Sequence, residues 1–330
     1  MKITMQTIAD RLGISKNTVS QALRDKNTVS EETKKDVLRT AERLGYKYAN
    51  SQNGIQAIKG TNFALIASEL TLSLNSFFGV ILNRIKEQIL ANNQQLDVYS
   101  ITAQQEKEMT IPDKIKNNNY DGIFILSYMS NEYLKALSSI KTSKVLIDHH
   151  QPNLDIDSIL TANEDGTIEA LNYLKDNNIR KVGFIGDNDR SPSYRERFTG
   201  FQLSLQTLDL QTKSEWVINH LQENQSSLFE ALGTINNPPE AWFCVNNGYA
   251  LSLINFYQSF GKKIPQDIKV ISFDDTDLSR LTQPRMTVMA TNLKEMGIAA
   301  YELLQYRMTH PKNDIRQISL KPHLVIRGTV

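Results

Sequence analysis

The chain opens with Ile8-Ala9-Asp10-Arg11-Leu12-Gly13-Ile14-Ser15-Lys16-Asn17-Thr18-Val19-Ser20-Gln21-Ala22-Leu23. Ile8, Ala9 and Leu12 fall on one stripe of a helix that Thr4 can cap. Gly13 ends it where a left-handed residue is needed. Ser15 offers a second cap, and a helix over about Lys16 to Arg24 places Val19, Ala22 and Leu23 inward, with Lys16, Asn17, Ser20 and Gln21 on the opposite side. Ser30 caps a third helix, Glu31 and Glu32 favour its positive end, Val37, Leu38, Ala41 and Leu44 face inward, and Gly45 ends it. Two short helices separated by only Gly13 and Ile14 must cross steeply, which is a helix-turn-helix with its second helix projecting from the surface.

The projecting face carries side chains of the kind that bond base edges, Lys16, Asn17 and Gln21, with Thr18 and Ser20 suited to phosphate or base. On chemistry alone, solvated positions on a small three-helix bundle fit that face equally well. Charge adds a second signal. The first 60 residues hold eleven Lys or Arg against six Asp or Glu, within a 330-residue chain whose 37 basic and 36 acidic residues nearly cancel. A basic head therefore precedes a mildly acidic body, a pattern compatible with nucleic-acid binding and weak evidence by itself.

These residues, with Val29-Ser30-Glu31-Glu32-Thr33 and Leu44-Gly45-Tyr46, resemble the DNA-binding domain of the lactose-repressor (LacI/GalR) family of bacterial transcription regulators. The resemblance implies a helix-turn-helix domain over 1–46 and a hinge over 47–60. Lys16, Asn17 and Gln21 would read the major groove, Thr18 and Ser20 would position the helix, and Thr4, Arg24 and Asn50 would complete the DNA-contacting set. The hinge departs from the family pattern. In place of an Ala-rich helix with a Leu wedge it has Asn50-Ser51-Gln52-Asn53-Gly54-Ile55-Gln56-Ala57-Ile58, with Ile55 the better minor-groove wedge and Ile58 the other. Gly54 costs about 1 kcal/mol of helicity relative to Ala, so this hinge is expected to order only on DNA.

From Thr61 onward, apolar runs of strand length alternate with helical spacing. The strands are about Phe63 to Ala67, Leu96 to Ile101, Gly122 to Leu126, Lys144 to Ile147, Ser158 to Thr161, Val182 to Ile185, Ala241 to Val245, Val270 to Phe273 and Thr287 to Met289. Repeated βα units predict an α/β fold with parallel sheets. Nine strands exceed an ordinary open sheet, and the polar break over Gln151 to Ile156 suggests a crossing between two lobes, the first about 61–161 and 292–322, the second about 162–291 and 323–330. Open α/β sheets bind ligands beyond the carboxyl ends of their strands. Polar residues stand there: Asp148, Asn246 and Asp274 end strands, and Ser193 and Arg197 begin a helix. Singly, such residues commonly cap helices or make turns. Converging at one sheet edge, they suit a polyol.

The resemblance covers nearly the whole chain, through Asn163-Glu164-Asp165-Gly166, Ser193 to Phe201 and Ile268 to Asp275. It implies a two-lobed, periplasmic-binding-protein-like core. In that core Asp148, Ser193, Arg197, Asn246 and Asp274 bond effector hydroxyls, and Asn75, Phe77 and Phe78 close the pocket from the first lobe. Two departures stand out: Asn246-Asn247 where many relatives have Asn-Asp, and His149 where Arg often follows the aspartate.

Other functions find little support. No GxSxG elbow, HExxH helix or P-loop occurs, and Gly183-Phe184-Ile185-Gly186 lacks a dinucleotide-site spacing, which argues against an enzyme and against a bound cofactor. His149 and His150 read as polar surface without further metal ligands, so no metal is expected. One cysteine, Cys244, excludes a disulfide framework and reads as core. No apolar run approaches the roughly 18 residues of a membrane span, and no signal peptide is apparent at Met1, so a cytoplasmic protein is expected rather than a free solute-binding protein. One helix in one groove gives few contacts, which predicts a homodimer on a palindromic double-stranded operator. The reading is therefore a repressor of sugar-utilisation genes, relieved by a sugar in the cleft. The alternatives are a nucleoside or purine effector, or a corepressor logic.

Overall fold

Thr4 accepts a hydrogen bond from the amide of Thr7, whose hydroxyl in turn accepts from the Thr4 amide, and this reciprocal cap starts helix α1 (Met5–Leu12). Gly13, at φ 64°, donates its amide to Ala9 and ends it. Ser15 accepts from the amide of Thr18 at 3.0 Å and starts α2 (Lys16–Leu23). Ser30 does the same for Thr33 at 3.2 Å, and residues 33–34, 36–37 and 40–41 are helical. Ile8, Ala9, Val19, Ala22, Leu23, Val29, Val37 and Ala41 form the core of this head. The computed structural model describes residues 4–23, 29–30, 33–34, 36–37, 40–41, 61–126 and 129–330. Arg24, Leu38, Leu44, Gly45 and the expected hinge with Asn50, Ile55 and Ile58 lie outside them.

Residues 1–59 and 60–330 are separate units. The larger one holds two six-stranded sheets. The first has the order β11-β5-β4-β3-β1-β2, built from β1 (Asn62–Ser68), β2 (Gln95–Ile101), β3 (Gly122–Leu126), β4 (Ser143–Ile147), β5 (Asp157–Thr161) and β11 (Gln317–Leu320). The second has the order β12-β10-β9-β8-β6-β7, from β6 (Val182–Ile185), β7 (Val217–Ile218), β8 (Ala241–Cys244), β9 (Lys269–Phe273), β10 (Thr287–Ala290) and β12 (His323–Val325). Every pairing is parallel except β12 on β10. Only Lys321 and Pro322 separate β11 from β12. So short a link has no room for a crossover helix, and β12 must enter the second sheet from its carboxyl edge and run backwards.

The chain passes between the sheets three times, at residue 162, at 291–292 and at 321–322. These passages are packed together. The amide of Ala162 donates to Leu320 at 2.9 Å, and a Cβ on Gly166 would lie 2.5 Å from Pro322 and 2.9 Å from Phe273. Glycine is therefore required where the passages meet. The helix Leu293–Thr309 buries Met296, Ala300, Leu303 and Leu304 against the first sheet. At its far end Arg307 donates to both carboxylate oxygens of Asp157, at 2.6 and 2.8 Å, and to the carbonyls of Asn313 and Asp314. Asp157 is 1% exposed and also accepts from the Arg316 amide, so one ion pair fixes the start of β5 and the approach to β11. Among the described residues no helix is long and apolar enough to cross a membrane, and no group of three or more His, Cys, Asp or Glu is placed to hold a metal.

Breaking a buried ion pair on one side leaves an uncompensated charge, which costs about 3–5 kcal/mol. Arg307→Leu is therefore expected to destabilise the protein by that amount in urea denaturation. The double change Arg307→Leu with Asp157→Leu should recover most of the loss.

Candidate effector site between the lobes

Two aspartates aim into the cleft for the same local reason. Asp148 follows β4 at φ 55° and Asp274 follows β9 at φ 70°. In each case the amide still pairs with the neighbouring strand, Asp148 with Ile159 at 2.9 Å and Asp274 with Met289 at 2.8 Å. The left-handed turn then swings the side chain off the strand end, a conformation that Asp tolerates better than most residues.

Arg197, on the helix Pro192–Thr207, is 2% exposed. Its Nε donates to Asn163 Oδ1 at 2.8 Å. Nη1 donates to the Val245 carbonyl at 2.5 Å and to Asp274 Oδ2 at 3.1 Å, and Nη2 to Asp274 Oδ1 at 3.4 Å. The guanidinium lies 3.8 Å from the centroid of the Phe273 ring. Thr291 adds a hydrogen bond to Asp274 at 3.2 Å. Burial pushes Asp274 upward against the pull of Arg197.

Asp148 has no such satisfaction, since its Oδ1 is buried without a hydrogen-bond partner among the described residues. Burial first, then the neighbouring Asp274 and Glu196, push its pKa up to about 7, with Arg197 opposing. His149 is 7% exposed and both ring nitrogens lack partners among the described residues, contrary to its expected place on a polar surface. Strand β4 runs into the core, and the turn at Asp148 sends the next side chain inward. Burial, helped by His150 and Arg195, lowers His149 to about 4, so it is neutral.

Asn246 and Asn247 divide their work. Asn246 caps the helix Asn247–Ser259 through the Tyr249 amide at 3.0 Å, and its Nδ2 donates to Tyr194 at 2.6 Å and Glu223 at 2.8 Å. Asn247 is 1% exposed. Its Nδ2 donates to Ser272 and to the carbonyls of Phe273 and Asp274, and its Oδ1 accepts from the amide and hydroxyl of Thr276. An aspartate there would lack the donors, so the amide braces the turn that carries Asp274.

The lobes enclose a cavity of about 310 Å³. Phe77, Phe78, Asp148, Ser193, Arg197, Asn246 and Asp274 line it, with Leu70, Leu74 and Leu278 among its apolar residues. Phe77 and Phe78 stand nearly perpendicular, centroids 4.8 Å apart. Asn75 is not among the lining residues. Its side chain lies about 3.5 Å from the position a Gly79 Cβ would take, and Ser76 faces the cavity in its place. Sequence reasoning also missed Glu223, which lies so close to Gly248 that a Cβ would meet it at 1.6 Å. The only signal for it was the glycine one residue into a helix. In the head, Thr4, Lys16 and Asn17 are exposed, and Thr18, Ser20 and Gln21 are half-buried on α2.

Comparison with known proteins bears on both units. Residues 4–48 match the family described as "Bacterial regulatory proteins, lacI family", and residues 171–330 match "Periplasmic binding protein-like domain". The "HTH-type transcriptional repressor PurR" of Vibrio vulnificus (strain CMCP6) is 25% identical over 331 residues, covering 99% of this chain and 98% of that one. The solved complex of the transcriptional regulator CelR with cellobiose superposes with a TM-score of 0.73 at 19% identity, covering 100% of both chains. The lac repressor dimer bound to operator and the anti-inducer ONPF gives 0.71 at 18%, covering 100% of this chain and 99% of that one.

The uncompensated carboxyl makes a stability prediction. A folded-state pKa raised to about 7 means that the native protein holds a proton the unfolded chain has lost, so stability falls as pH rises from about 4 to 7. Asp148→Asn is expected to flatten that decline and to stabilise the ligand-free protein by about 1–3 kcal/mol at pH 8, read by thermal unfolding at a series of pH values. With a lacI-type helix-turn-helix matched over residues 4–48, a periplasmic-binding-protein-like domain matched over 171–330 and transcriptional repressors among its relatives, the chain has the domain make-up of lacI-type regulators and is an effector-controlled, DNA-binding transcriptional regulator.

Proposed function

We propose that the protein is a cytoplasmic repressor of sugar-utilisation genes, acting as a homodimer on a palindromic operator and released by a sugar in the interlobe cavity. The observation that carries the effector reading is Asp148, whose buried Oδ1 lacks a partner among the described residues at a cavity also lined by Asp274, Asn246 and Ser193. A neutral polyol supplies the missing donors without adding charge, and Phe77 and Phe78 give its ring an apolar wall. A sugar complex of a protein with the same fold supports this choice.

On the DNA side, Lys16, Asn17, Thr18, Ser20 and Gln21 on α2 are assigned to the major groove, with Thr4 and Arg24 beside them. Residues 47–60 form the hinge, where Asn50 and Ile55 contact DNA. A dimer on operator in a protein of the same fold supports pairing of two heads. Effector binding shifts the two lobes between arrangements, and a coupling of about 1–3 kcal/mol changes operator affinity about 5- to 150-fold.

Two measurements test this. Selection of binding sites from random duplexes should return a palindrome, and Asn17→Ala should cost about 1–3 kcal/mol and relax preference at one base position. Uniform weakening on every sequence would make Asn17 a backbone contact. Calorimetry of the intact protein against a panel of mono- and disaccharides and nucleosides should find a sugar. Ser193→Ala should weaken that binding by about 1 kcal/mol, roughly fivefold, with operator affinity in its absence unchanged. Binding of nucleosides alone would overturn the sugar assignment.

A further inference from the structure

A hydrogen-bonded chain runs from one lobe to the cleft floor of the other. His150, just past β4 of the first sheet, places Nε2 at 2.5 Å from Glu196 Oε1 on the helix Pro192–Thr207 of the second lobe. Glu196 Oε2 accepts from Asn163 Nδ2 at 2.8 Å, Asn163 Oδ1 accepts from Arg197 Nε at 2.8 Å, and Arg197 holds Asp274. The amide of Asn163 can be oriented only one way. An arginine Nε–H can only donate, so Oδ1 must face it and the NH₂ must face Glu196. Asn163 also opens the helix that follows the first passage between the sheets. Each link thus fixes the next.

We propose that Glu196 and Asn163 are positioning residues for Arg197, and that His150, reaching Glu196 from the opposite lobe, makes the position of Arg197 depend on its proton. This rests on the reading of Arg197 as part of the effector site. The charged and titratable groups around His150 are Glu196 and Arg195 on the facing helix and His149 beside it. Glu196 also feels Arg197, and Asp148, two residues before His150, feels both Glu196 and Arg197. The hydrogen bond to Glu196 holds His150 above its ordinary value, against burial and Arg195. Burial acts on Glu196 in the opposite sense, and the bonds from His150 and Asn163 overcome it, so Glu196 lies below its ordinary value and stays ionised.

Protonated His150 is a cationic donor to Glu196. Loss of its proton removes the ionic part of that contact, and with it part of the hold on Glu196, Asn163 and the Arg197 guanidinium. Side chains 28% and 30% exposed make this pair a minor contributor to stability. Its consequence is geometric: the hydrogen-bond partner of His150 among the described residues stands on the other lobe and leads to the group that anchors the cleft.

Side-chain NMR of the full chain without ligand tests the relay. His150 should titrate above about 6.5, and the Arg197 Nε–H resonance should move with the same midpoint. Asp148 titrates at about 7 and is coupled to Arg197, so the Arg197 signal is followed in Asp148→Asn. There it should still move with His150, and it should stay constant between about pH 5.5 and 8.5 once His150→Gln is added. In Glu196→Gln the His150 midpoint should fall back to about 6.5 or below. An Arg197 signal indifferent to pH in Asp148→Asn, or one that still titrates when His150→Gln is added to it, would reduce the pair to a local surface contact. His150→Gln changes a partly exposed residue, so the decisive comparison survives even if Glu196→Gln folds poorly. No ligand enters the measurement. A relay that behaves as expected beside a failed sugar screen would sink the effector assignment and leave the relay standing.

Discussion

A guanidinium removed from water must have its donors met within the protein, and Arg197 meets this demand by recruiting three separate stretches of the second lobe. Asn163 comes from the helix after the first passage, the Val245 carbonyl from the end of β8, and Asp274 from the end of β9, with the Phe273 ring beneath. Burying an ion is costly, and its Coulombic partner returns that cost only when the geometry is good. The strand ends around Arg197 are therefore held in one arrangement before any ligand arrives. Asp274 is committed to the guanidinium through both oxygens, and Asn247 fixes the turn from behind. The second lobe presents a finished surface.

The first lobe is different. Asp148 has the same left-handed backbone and the same position beyond a strand, yet among the described residues no guanidinium bonds its buried Oδ1. The site thus joins a satisfied half to an unsatisfied half. Its buried carboxyl lowers stability above neutral pH, and a ligand that donates to it relieves the cost. Local strain and unsatisfied polarity concentrated at a binding site are a common pattern in folded proteins.

Much of this was legible in the chain itself. Ser, Thr and Gly at cap positions and the spacing of Ile8, Val19 and Ala22 gave the head, because short helices are punctuated by local chemistry. Apolar runs gave the buried strands, since parallel strands covered on both faces must be apolar throughout. Strands β7 and β11 escaped, the first being two residues long and the second mostly exposed, so neither carries a periodic signal. The family resemblance placed Phe77 and Phe78 on the cavity, but nothing in the local pattern could tell that Asn75 turns back toward Gly79. Glu223 and the His150–Glu196 pair were invisible for another reason: their partners are 23 and 46 positions away, and only the tertiary fold brings them together.

The passages between the sheets limit where regulation can reside. Ala162 on Leu320, and the Gly166 backbone against the Pro322 and Phe273 side chains, are close contacts where the passages meet, and under the proposed shift of the lobes a pivot there contributes the same contacts to every arrangement. A ligand shifts an equilibrium only by what it gains in one arrangement over another. The differences must therefore arise away from the passages, in contacts that reach across the cleft. Two such sets are present: the residues around the cavity, where Asp148 faces the committed Arg197–Asp274 pair, and His150 on Glu196. The coupling required is about 1–3 kcal/mol, comparable to one or two well-made hydrogen bonds to charged groups. Two small polar contacts astride a rigid pivot are thus of the right size to govern it.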